Sequence, residues 1–248
     1  MKVSGSKAKT IYHLKRIQGL YPLWRLEYKI KCGSTEHELS KLLDCSELKR
    51  NQPIAIVTRE QFAGFGQNSR FWFSPKGGIW LSAAYPIFSE KFDCKIFNLS
   101  MAIKLCEMLK QEKIKVNLKW PNDIFFGSRK LIGFLPRVIT RGKEISYVRV
   151  GIGMNLINRT PPEGISLAEI LKTNHINKSF WTAKILKAFH DSINCNKEKE
   201  YVIKVANAFL SRVFLPQGFS SAEWKIKDID SHGYLRLYNK TQKIVDRF

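Results

Sequence analysis

The sequence predicts an α/β domain, a β-sheet flanked by helices, followed by a short β appendage. Apolar runs of strand length alternate along the chain with stretches in which apolar residues recur at helical spacing. Two alternating stretches around the turn Asp230–Gly233 indicate the appendage near the carboxyl end. The 248 residues suffice for one large domain with a sizeable core.

In the first half of the chain the pattern predicts three strands and three helices. Residues 1–22 are basic and too short for a helix-turn-helix module with its own core. Ser34 or Thr35 is the expected N-cap of the second helix. The predicted strands lie in Trp24–Cys32, Pro53–Thr58 and Gly77–Pro86, and the predicted helices are Ile11–Leu20, Glu36–Leu43 and Ile96–Gln111.

The stretch Lys119–Gly133 carries the strongest local signal. Pro121 interrupts an apolar run that begins at Ile114, and a second turn at Gly127–Arg129 then makes a β-hairpin. Two cations and a carboxylate at its rims suit phosphate or carboxylate oxygens together with a metal ion or a proton. These charged residues, which are expected to face one cavity, are Lys119, Asp123 and Lys130.

In the second half, a hairpin over Pro136–Leu156 is expected to turn at Arg141–Lys143. Amphipathic helices are predicted over Phe180–Ile193 and Lys199–Phe214. The tail that begins at Phe219 is too short to bury an independent core, so we expect it to dock on the main domain.

The charge balance favours acidic partners. Lys and Arg number 42 against 21 Asp and Glu, for a formal net charge of +21. The lysines are dispersed and the sequence has no Arg-rich arm, so the charge is only weak evidence for nucleic-acid binding. No run approaches the length of a membrane span, and the five cysteines form no CxxC pair or zinc spacing. We therefore expect a cytoplasmic protein with reduced thiols and without a structural metal.

Four motifs in this order resemble those of biotin protein ligases. The likeness runs from about Cys32 to Leu237. The chain resembles the members that consist of the catalytic part alone, without the DNA-binding domain that repressor members carry. It implies a mixed sheet flanked by helices of the biotin/lipoate ligase type, with an SH3-like appendage. The motifs are Ser34–Thr35, the glycine-containing loop Gln61–Pro75, Lys119–Asp123 with Lys130–Gly133, and Gly151–Asn155.

The resemblance also implies domains and an activity. An N-terminal extension (1–22) would precede a catalytic domain (23–215) and a truncated SH3-like segment (216–248). Such an enzyme activates biotin with ATP to biotinyl-5′-AMP and transfers biotin to a lysine of the biotin carboxyl carrier protein of acetyl-CoA carboxylase. Mg²⁺ would be the cofactor, and the enzyme would be a monomer or a homodimer that binds no membrane.

The resemblance assigns roles to the motif residues. Lys130 and Arg70 would stabilise the phosphate and the biotin carboxyl, while Asp123 would bind Mg²⁺ or orient the incoming lysine. Biotin would be held by Ser34, Thr35, Gln61, Gly64, Phe65, Gln67, Lys130 and Gly133. The nucleotide would be held by Arg70, Trp72, Lys119, Asn122 and Asn155.

The chain departs from the family inside the glycine-containing loop and after the hairpin. Phe65 and Gln67 stand where the family usually has arginines, and Ser69 where it usually has glycine. Loss of one charge-assisted hydrogen bond at Gln67 would weaken retention of the adenylate by about ten- to a hundredfold. Pro136 and Arg137 replace a small residue and a glutamate, which predicts a sheet edge or a bulge there.

Two other functions stay open at this stage. A lipoate or octanoyl ligase shares the fold but would carry a different signature in place of Lys119–Asp123. A degenerate protein that binds nucleic acid or another ligand without catalysis is kept open by Phe65, Gln67 and the positive charge.

Overall fold

The computed structural model describes residues 6–17, 24–44, 52–87, 92–141, 144–241 and 244–247. These residues form a seven-stranded sheet, a separate three-stranded sheet and six α-helices. The helices are α1 (Lys7–Ile17), α2 (Thr35–Asp44), α3 (Cys94–Gln111), α4 (Leu167–Leu171), α5 (Lys178–Cys195) and α6 (Lys199–Phe209). The strands are β1 (Arg25–Cys32), β2 (Ile54–Gln61), β3 (Ile79–Pro86), β4 (Asn117–Lys119), β5 (Asp123–Phe126), β6 (Arg129–Arg141), β7 (Glu144–Met154), β8 (Trp224–Ile229), β9 (Leu235–Asn239) and β10 (Ile244–Arg247).

The large sheet is mixed, as predicted. Its strand order is β1-β2-β3-β7-β6-β5-β4, and all neighbours are antiparallel except β1 and β2. A parallel pair needs a crossover connection, and α2 lies in the chain between these two strands. The predicted α/β class with a sheet flanked by helices is confirmed.

The alternation of side chains along β2 shows how the two faces of the sheet are covered. Ala55 and Val57 point into the main core, where α3 and α5 also bury their apolar residues. Ile54 and Ile56 point to the opposite face and pack with Leu39 of α2 in a smaller cluster. Helix α2 therefore covers only part of that second face.

The uncovered part of the second face lies on β6 and β7. There the side-chain alternation places Gly133 of β6 beside Gly151 and Gly153 of β7, with Gly133 directly opposite Gly153 in the register. On the other face the same strands bury large apolar residues such as Phe134 and Ile152. These glycines leave a small area of the sheet surface without side chains next to the first turn of α2, and we call this area the floor.

Several predicted boundaries were wrong. Helix α1 begins four residues earlier than the predicted Ile11, while residues 18–20 of the predicted helix lie outside the described residues. Helix α6 ends at Phe209, not Phe214, because Leu210 leaves the helix and forms a β-bridge with Leu118. Strand β4 starts at Asn117, three residues after the predicted start.

The predicted hairpin over Pro136–Leu156 is present as β6 and β7. Its turn residues 142 and 143 lie outside the described part. Pro136 pairs regularly with Val150, and β5 pairs with β6 only as far as Gly133, so Pro136 lies on a free edge of β6 as expected. The bulge on this strand lies further on, between Ile139 and Thr140.

The appendage is a three-stranded sheet in the order β10-β9-β8, one strand more than predicted. Ile229 and Leu235 are buried in the main core, and the Trp120 indole donates a hydrogen bond to the Gly233 carbonyl at 3.3 Å. Asn207 of α6 exchanges two 2.8 Å hydrogen bonds with the backbone of Ile229. The appendage therefore packs against the main domain.

Two further observations concern the described residues only. Cys32, Cys94, Cys106 and Cys195 are free thiols, while Cys45 lies outside the described part. None of the helices seen there combines the length and apolar character that a membrane crossing requires.

Candidate active site

A cavity of about 660 Å³ lies on the face of the sheet that α2 leaves uncovered. That volume is within the range of pockets for small molecules and cofactors. The glycine-bearing parts of β6 and β7 and the start of α2 line it, together with the loop between β2 and β3 and the hairpin β5–β6.

One end of the cavity is a buried polar network at the start of α2. Ser34 caps this helix, since its Oγ accepts a 3.2 Å hydrogen bond from the Glu36 N–H. The Gln61 Oε1 atom accepts from both the N–H and the hydroxyl of Thr35, at 2.8 and 3.0 Å. The Ser82 hydroxyl donates to the Thr35 Oγ1 at 2.8 Å, and Gln61 Nε2 is 2.8 Å from the Ser74 Oγ. We refer to this network, Ser34, Thr35, Glu36, Gln61 and Ser82, as the polar end.

Glu36 adds a buried charge to the polar end, which the sequence did not predict. Its Oε2 atom accepts a 2.7 Å hydrogen bond from Arg149 of β7, and both side chains are almost fully buried. Arg149 also donates to the Glu36 carbonyl and to the Ser40 hydroxyl, each at 3.0 Å. The pair therefore fixes the first turn of α2 onto the central sheet.

The floor of the cavity is occupied by Trp72. A Cβ atom added at Gly133 or Gly153 would lie 2.5–2.7 Å from atoms of the indole ring, so only glycine permits this close contact. The indole Nε1 is buried and forms no hydrogen bond to any described residue. Trp72, expected to pack near adenine, thus lies against the paired glycines of β6 and β7.

Lys130 and Asp123 form an ion pair next to Trp72 on the cavity floor. The Lys130 Nζ is 2.6 Å from Asp123 Oδ1 and 4.4 Å from the centre of the Trp72 ring. The hairpin β5–β6 positions both residues, with a bulge between Ile124 and Phe125. Lys119 lines the same cavity, so the three charged residues of the hairpin face one space, as predicted.

Both predicted asparagines line the cavity, but their side chains are engaged with the protein. The Asn122 Nδ2 donates to the Phe134 carbonyl at 2.9 Å, which ties the turn before β5 to β6. The Asn155 Nδ2 donates to the Lys130 carbonyl at 3.3 Å, and its Oδ1 accepts from Asn158 at 2.9 Å. In this structure Asn155 therefore braces the backbone of Lys130.

Phe214 lines the cavity next to Lys119, an arrangement that the sequence did not reveal. Its ring packs on Phe125 at 4.5 Å between centroids, and the Lys119 Nζ lies 5.2 and 5.4 Å from the centres of these two rings. Phe214 reaches this place because the chain leaves α6 after Phe209 and pairs Leu210 with Leu118.

Residues 62–73, which we call the loop, form an irregular hairpin over the cavity. Its hydrogen bonds join Trp72 to Gly64 and Gly66 to Arg70. Asn68 and Ser69 at its tip both have φ of 55°. A left-handed backbone favours glycine, which accounts for the glycine that the resembled family usually has where Ser69 stands.

The side chains of the loop are largely exposed. Gln67 and Arg70 lie at the surface of the described structure. Phe65, which replaces an arginine of the resembled family, packs against the ring of His37 at 5.4 Å. The Arg137 guanidinium of β6 lies 5.8 Å from the centre of the Phe65 ring, so a cation from another strand approaches this position.

Of the predicted site residues, only Gly64 does not line the cavity. It lies behind Gln61, where an added Cβ would come within 2.8 Å of the Gln61, Ser74 and Trp72 atoms. Gly66 lines the cavity instead. The predicted residues on the cavity wall are Ser34, Thr35, Gln61, Phe65, Gln67, Arg70, Trp72, Lys119, Asn122, Asp123, Lys130, Gly133 and Asn155.

The cavity contains a suitable ligand for Mg²⁺. This ion is commonly bound by one or two carboxylates together with substrate phosphates and water. Asp123 lines the cavity with one carboxylate oxygen near Lys130, which leaves the other oxygen for an ion. The residues present therefore fit Mg²⁺ that arrives with a phosphate ligand.

Comparison with known proteins agrees with the fold and the motifs. Residues 33–155 match the family described as "Biotin/lipoate A/B protein ligase family". The chain is 32% identical over 127 residues to the bifunctional ligase/repressor BirA of Escherichia coli, a match that covers 50% of this chain and 39% of BirA. It is 28% identical over 183 residues to the chloroplastic biotin–protein ligase 1 of Arabidopsis thaliana, covering 67% of this chain and 43% of that protein. The chain thus spans less than half the length of these curated relatives.

Solved structures show the same fold. A biotin protein ligase from Aquifex aeolicus in complex with biotin and ATP superposes with a TM-score of 0.72 at 23% identity, covering 90% of this chain and 95% of that one. The biotin protein ligase of Leishmania major in complex with biotinyl-5-AMP gives a TM-score of 0.60 at 21% identity, covering 90% of this chain and 98% of that chain.

Proposed function

We propose that this chain is a biotin protein ligase, because residues 33–155 match the biotin/lipoate A/B protein ligase family. It activates biotin with ATP to biotinyl-5′-AMP and transfers the biotinyl group to a lysine of a biotin carboxyl carrier protein. Relatives that carry the name biotin–protein ligase, and a structural neighbour with biotin and ATP bound, support this proposal.

The polar end of the cavity is the observation that carries the choice of biotin. Biotin ends in a ureido ring with two N–H donors and one carbonyl acceptor, whereas the dithiolane ring of lipoate has no such groups. The Glu36 carboxylate oxygen that no described residue satisfies and the Ser34 hydroxyl suit the ureido ring, and an apolar dithiolane would leave that oxygen without a ligand partner. We therefore favour biotin over lipoate.

Lys130 and Arg70 act in the first half-reaction. The biotin carboxylate attacks the α-phosphorus of ATP, the bond to the β-phosphate oxygen breaks, and pyrophosphate leaves. Lys130 on the hairpin lines the same cavity as the polar end, and its ammonium neutralises charge on the carboxylate and the α-phosphate. Arg70 on the loop stabilises the phosphate from the open side of the cavity.

Asp123 has two tasks in the reaction. It would hold Mg²⁺, which would supply neutralisation of phosphate charge, and by pairing with Lys130 it fixes that ammonium at the floor of the cavity. In the second half-reaction the amine of the carrier lysine attacks the mixed anhydride and AMP leaves. Asp123 orients this amine through a hydrogen bond. The net positive charge of +21 would attract an acidic carrier domain.

The experiment is incubation of the purified protein with biotin, Mg²⁺ and ATP labelled at the α-phosphate. We expect labelled biotinyl-adenylate with biotin and none with lipoate. Adenylate formed with lipoate alone would make the chain a lipoate ligase. No adenylate with either acid would make it a non-catalytic binding protein, and a shift assay with duplex DNA at several salt concentrations would then test nucleic acid as its ligand.

A further inference from the structure

One oxygen of the Glu36 carboxylate is buried and has no partner. The side chain is 7% exposed, and its Oε2 atom is satisfied by Arg149. The Oε1 atom forms no hydrogen bond to the residues that the structure describes. It lies 3.1 Å from the Cβ position of Gly151, and both residues line the cavity. An unsatisfied buried oxygen is costly unless a ligand completes it.

The other groups of the polar end are already satisfied by the protein. The Gln61 amide uses its oxygen on Thr35 and its nitrogen on Ser74. The Thr35 hydroxyl donates to Gln61 and accepts from Ser82. The Ser34 Oγ accepts from the Glu36 N–H and keeps its own proton free to donate. The polar end therefore presents a carboxylate acceptor and a hydroxyl donor side by side.

We propose that Glu36 determines specificity by accepting a hydrogen bond from one ureido N–H of bound biotin. The inference rests on the proposed function and extends it to Glu36, a residue to which the resemblance assigns no role. A carboxylate can only accept, so position 36 selects a ring with an N–H donor and rejects one with a carbonyl, an ether or an N-methyl group there. Arg149 holds the carboxylate in place through Oε2 and leaves Oε1 for the ligand.

Replacing Glu36 by glutamine tests the polarity of this contact. In Glu36→Gln the side-chain oxygen keeps its bond with Arg149, and the amide turns an N–H₂ donor towards the ureido N–H. We expect the Kd for biotin, measured by calorimetry, to rise about ten- to a hundredfold. Glu38→Gln is the matched control, because Glu38 lies on the same helix but pairs with Lys29 and Lys41 outside the cavity. It should leave the Kd unchanged.

Two mono-N-methyl biotins, one for each ureido nitrogen, separate recognition from a structural role. Methylation of the nitrogen that faces Glu36 should weaken binding to the unchanged protein at least tenfold, and this penalty should largely vanish in Glu36→Gln. The penalty at the other nitrogen should be equal in both proteins. If Glu36→Gln does not fold, Glu36→Asp keeps the charge beside Arg149 while it withdraws the oxygen from the cavity, and the same comparison applies.

The outcomes distinguish this inference from the function on which it rests. Tight biotin binding by the unchanged protein, with the same Kd and the same methyl penalties in the variant, would overturn the role of Glu36 and leave the ligase proposal standing. No biotin binding by the unchanged protein, with or without ATP, would overturn both.

Discussion

The two ends of the cavity are built in opposite ways. At the polar end, Thr35 is joined to Gln61 and to Ser82 by hydrogen bonds of 2.8–3.0 Å. In the loop of residues 62–73, Gln67 and Arg70 are exposed, and the tip holds two non-glycine residues with positive φ. The polar end is therefore organised before a ligand arrives, whereas the loop is held mainly by its own backbone hydrogen bonds.

This difference assigns a separate task to each end. Groups that are fixed before binding lose little entropy when the ligand arrives, so the polar end is suited to affinity and selectivity. Under the proposed function, exposed side chains would have to be ordered around the phosphate, so we expect the loop to govern how firmly the activated intermediate is held. Substitutions should then change biotin binding at one end and adenylate retention at the other.

The largest effect is expected at Lys130, where the two ends meet. Lys130→Ala removes the ammonium that we propose neutralises the biotin carboxylate and the phosphate, so the rate of adenylate formation should fall about 10²–10³-fold. Arg129→Ala is the matched control, because the neighbouring Arg129 pairs with exposed Glu169 away from the cavity. Equal rates for Lys130→Ala and Arg129→Ala in the labelled-ATP assay would remove Lys130 from the mechanism.

Thr35→Val tests the organisation of the polar end. The substitution keeps the side-chain shape but removes the acceptor of the buried Ser82 hydroxyl and one of the two hydrogen bonds that Gln61 Oε1 accepts, at a cost of about 1–3 kcal/mol in stability. The Kd for biotin should rise about ten- to a hundredfold, as measured by calorimetry. Thr58→Val removes another buried hydroxyl, one that donates to the backbone carbonyls of Lys29 and Glu60 and does not line the cavity. Its Kd should stay unchanged, and a shared loss of binding would mean that the polar end is not a distinct site.

Lys178, the first residue of α5, is buried against β2, the strand that ends at Gln61. Its Nζ donates to the Thr58 carbonyl of β2, and burial, followed by the nearby Arg59, lowers the pKa of this lysine from 10.5 to about 8. The folded state thus penalises the charged form, fully below pH 8 and not at all above 10.5. Lys178→Met should raise the free energy of unfolding at pH 7 by about 1–3 kcal/mol.

The sign of the Lys178 effect can be checked by denaturant melts at several pH values. The advantage of Lys178→Met over the unchanged protein should shrink as the pH rises from 8 to 10.5. Lys187→Met serves as control, since Lys187 is paired with Asp191 on the same helix. An advantage that is constant with pH would show that Lys178 is not buried as a charge.

Gln67→Arg addresses the loop directly. It restores a charge-assisted contact to the activated carboxyl and phosphate, so the bound adenylate should persist about ten- to a hundredfold longer. The measurement is the release of labelled biotinyl-adenylate into the filtrate over time. Gln217→Arg adds the same charge at an exposed site elsewhere and should not slow release. Similar release from both variants would argue against a role for position 67.

The smallest effect is expected at the tip of the loop. Ser69 has φ of 55°, which costs a non-glycine residue more than glycine. Ser69→Gly should stabilise the protein by about 0.5–1 kcal/mol, a gain reduced by the extra freedom of glycine in the unfolded chain. In Ser231→Gly, at a turn residue without positive φ, thermal melting should show a small loss instead. Losses in both would mean that the tip is not strained.

The sequence predicted those parts of the site that depend on local pattern. The turns at Pro121 and Gly127 define a hairpin, and its register alone brings Lys119, Asp123 and Lys130 to one cavity. The step from strand to helix likewise narrowed the N-cap of α2 to Ser34 or Thr35, and the structure shows that Ser34 is the cap.

Contacts between distant segments could not be predicted in this way. Arg149 lies 113 residues from Glu36, and nothing in the pattern of β7 indicates that its arginine is buried against α2. The apolar spacing of α6 continues through Leu210 and Phe214, yet pairing of Leu210 with Leu118 ends the helix and turns Phe214 into the cavity. Trp72 packs on Gly133 and Gly153, which are adjacent only because of the register between β6 and β7. The sequence of either strand alone does not specify that register.

The most direct test of this account is the partition of the intermediate made by the unchanged protein. After incubation with biotin, Mg²⁺ and α-labelled ATP, rapid filtration separates adenylate bound to the protein from adenylate in solution. We expect biotinyl-adenylate to form and most of it to appear in the filtrate, because we propose that the polar end binds biotin while Gln67 holds the phosphate weakly. Adenylate that stays on the protein through many hours of filtration, or none formed at all, would contradict it.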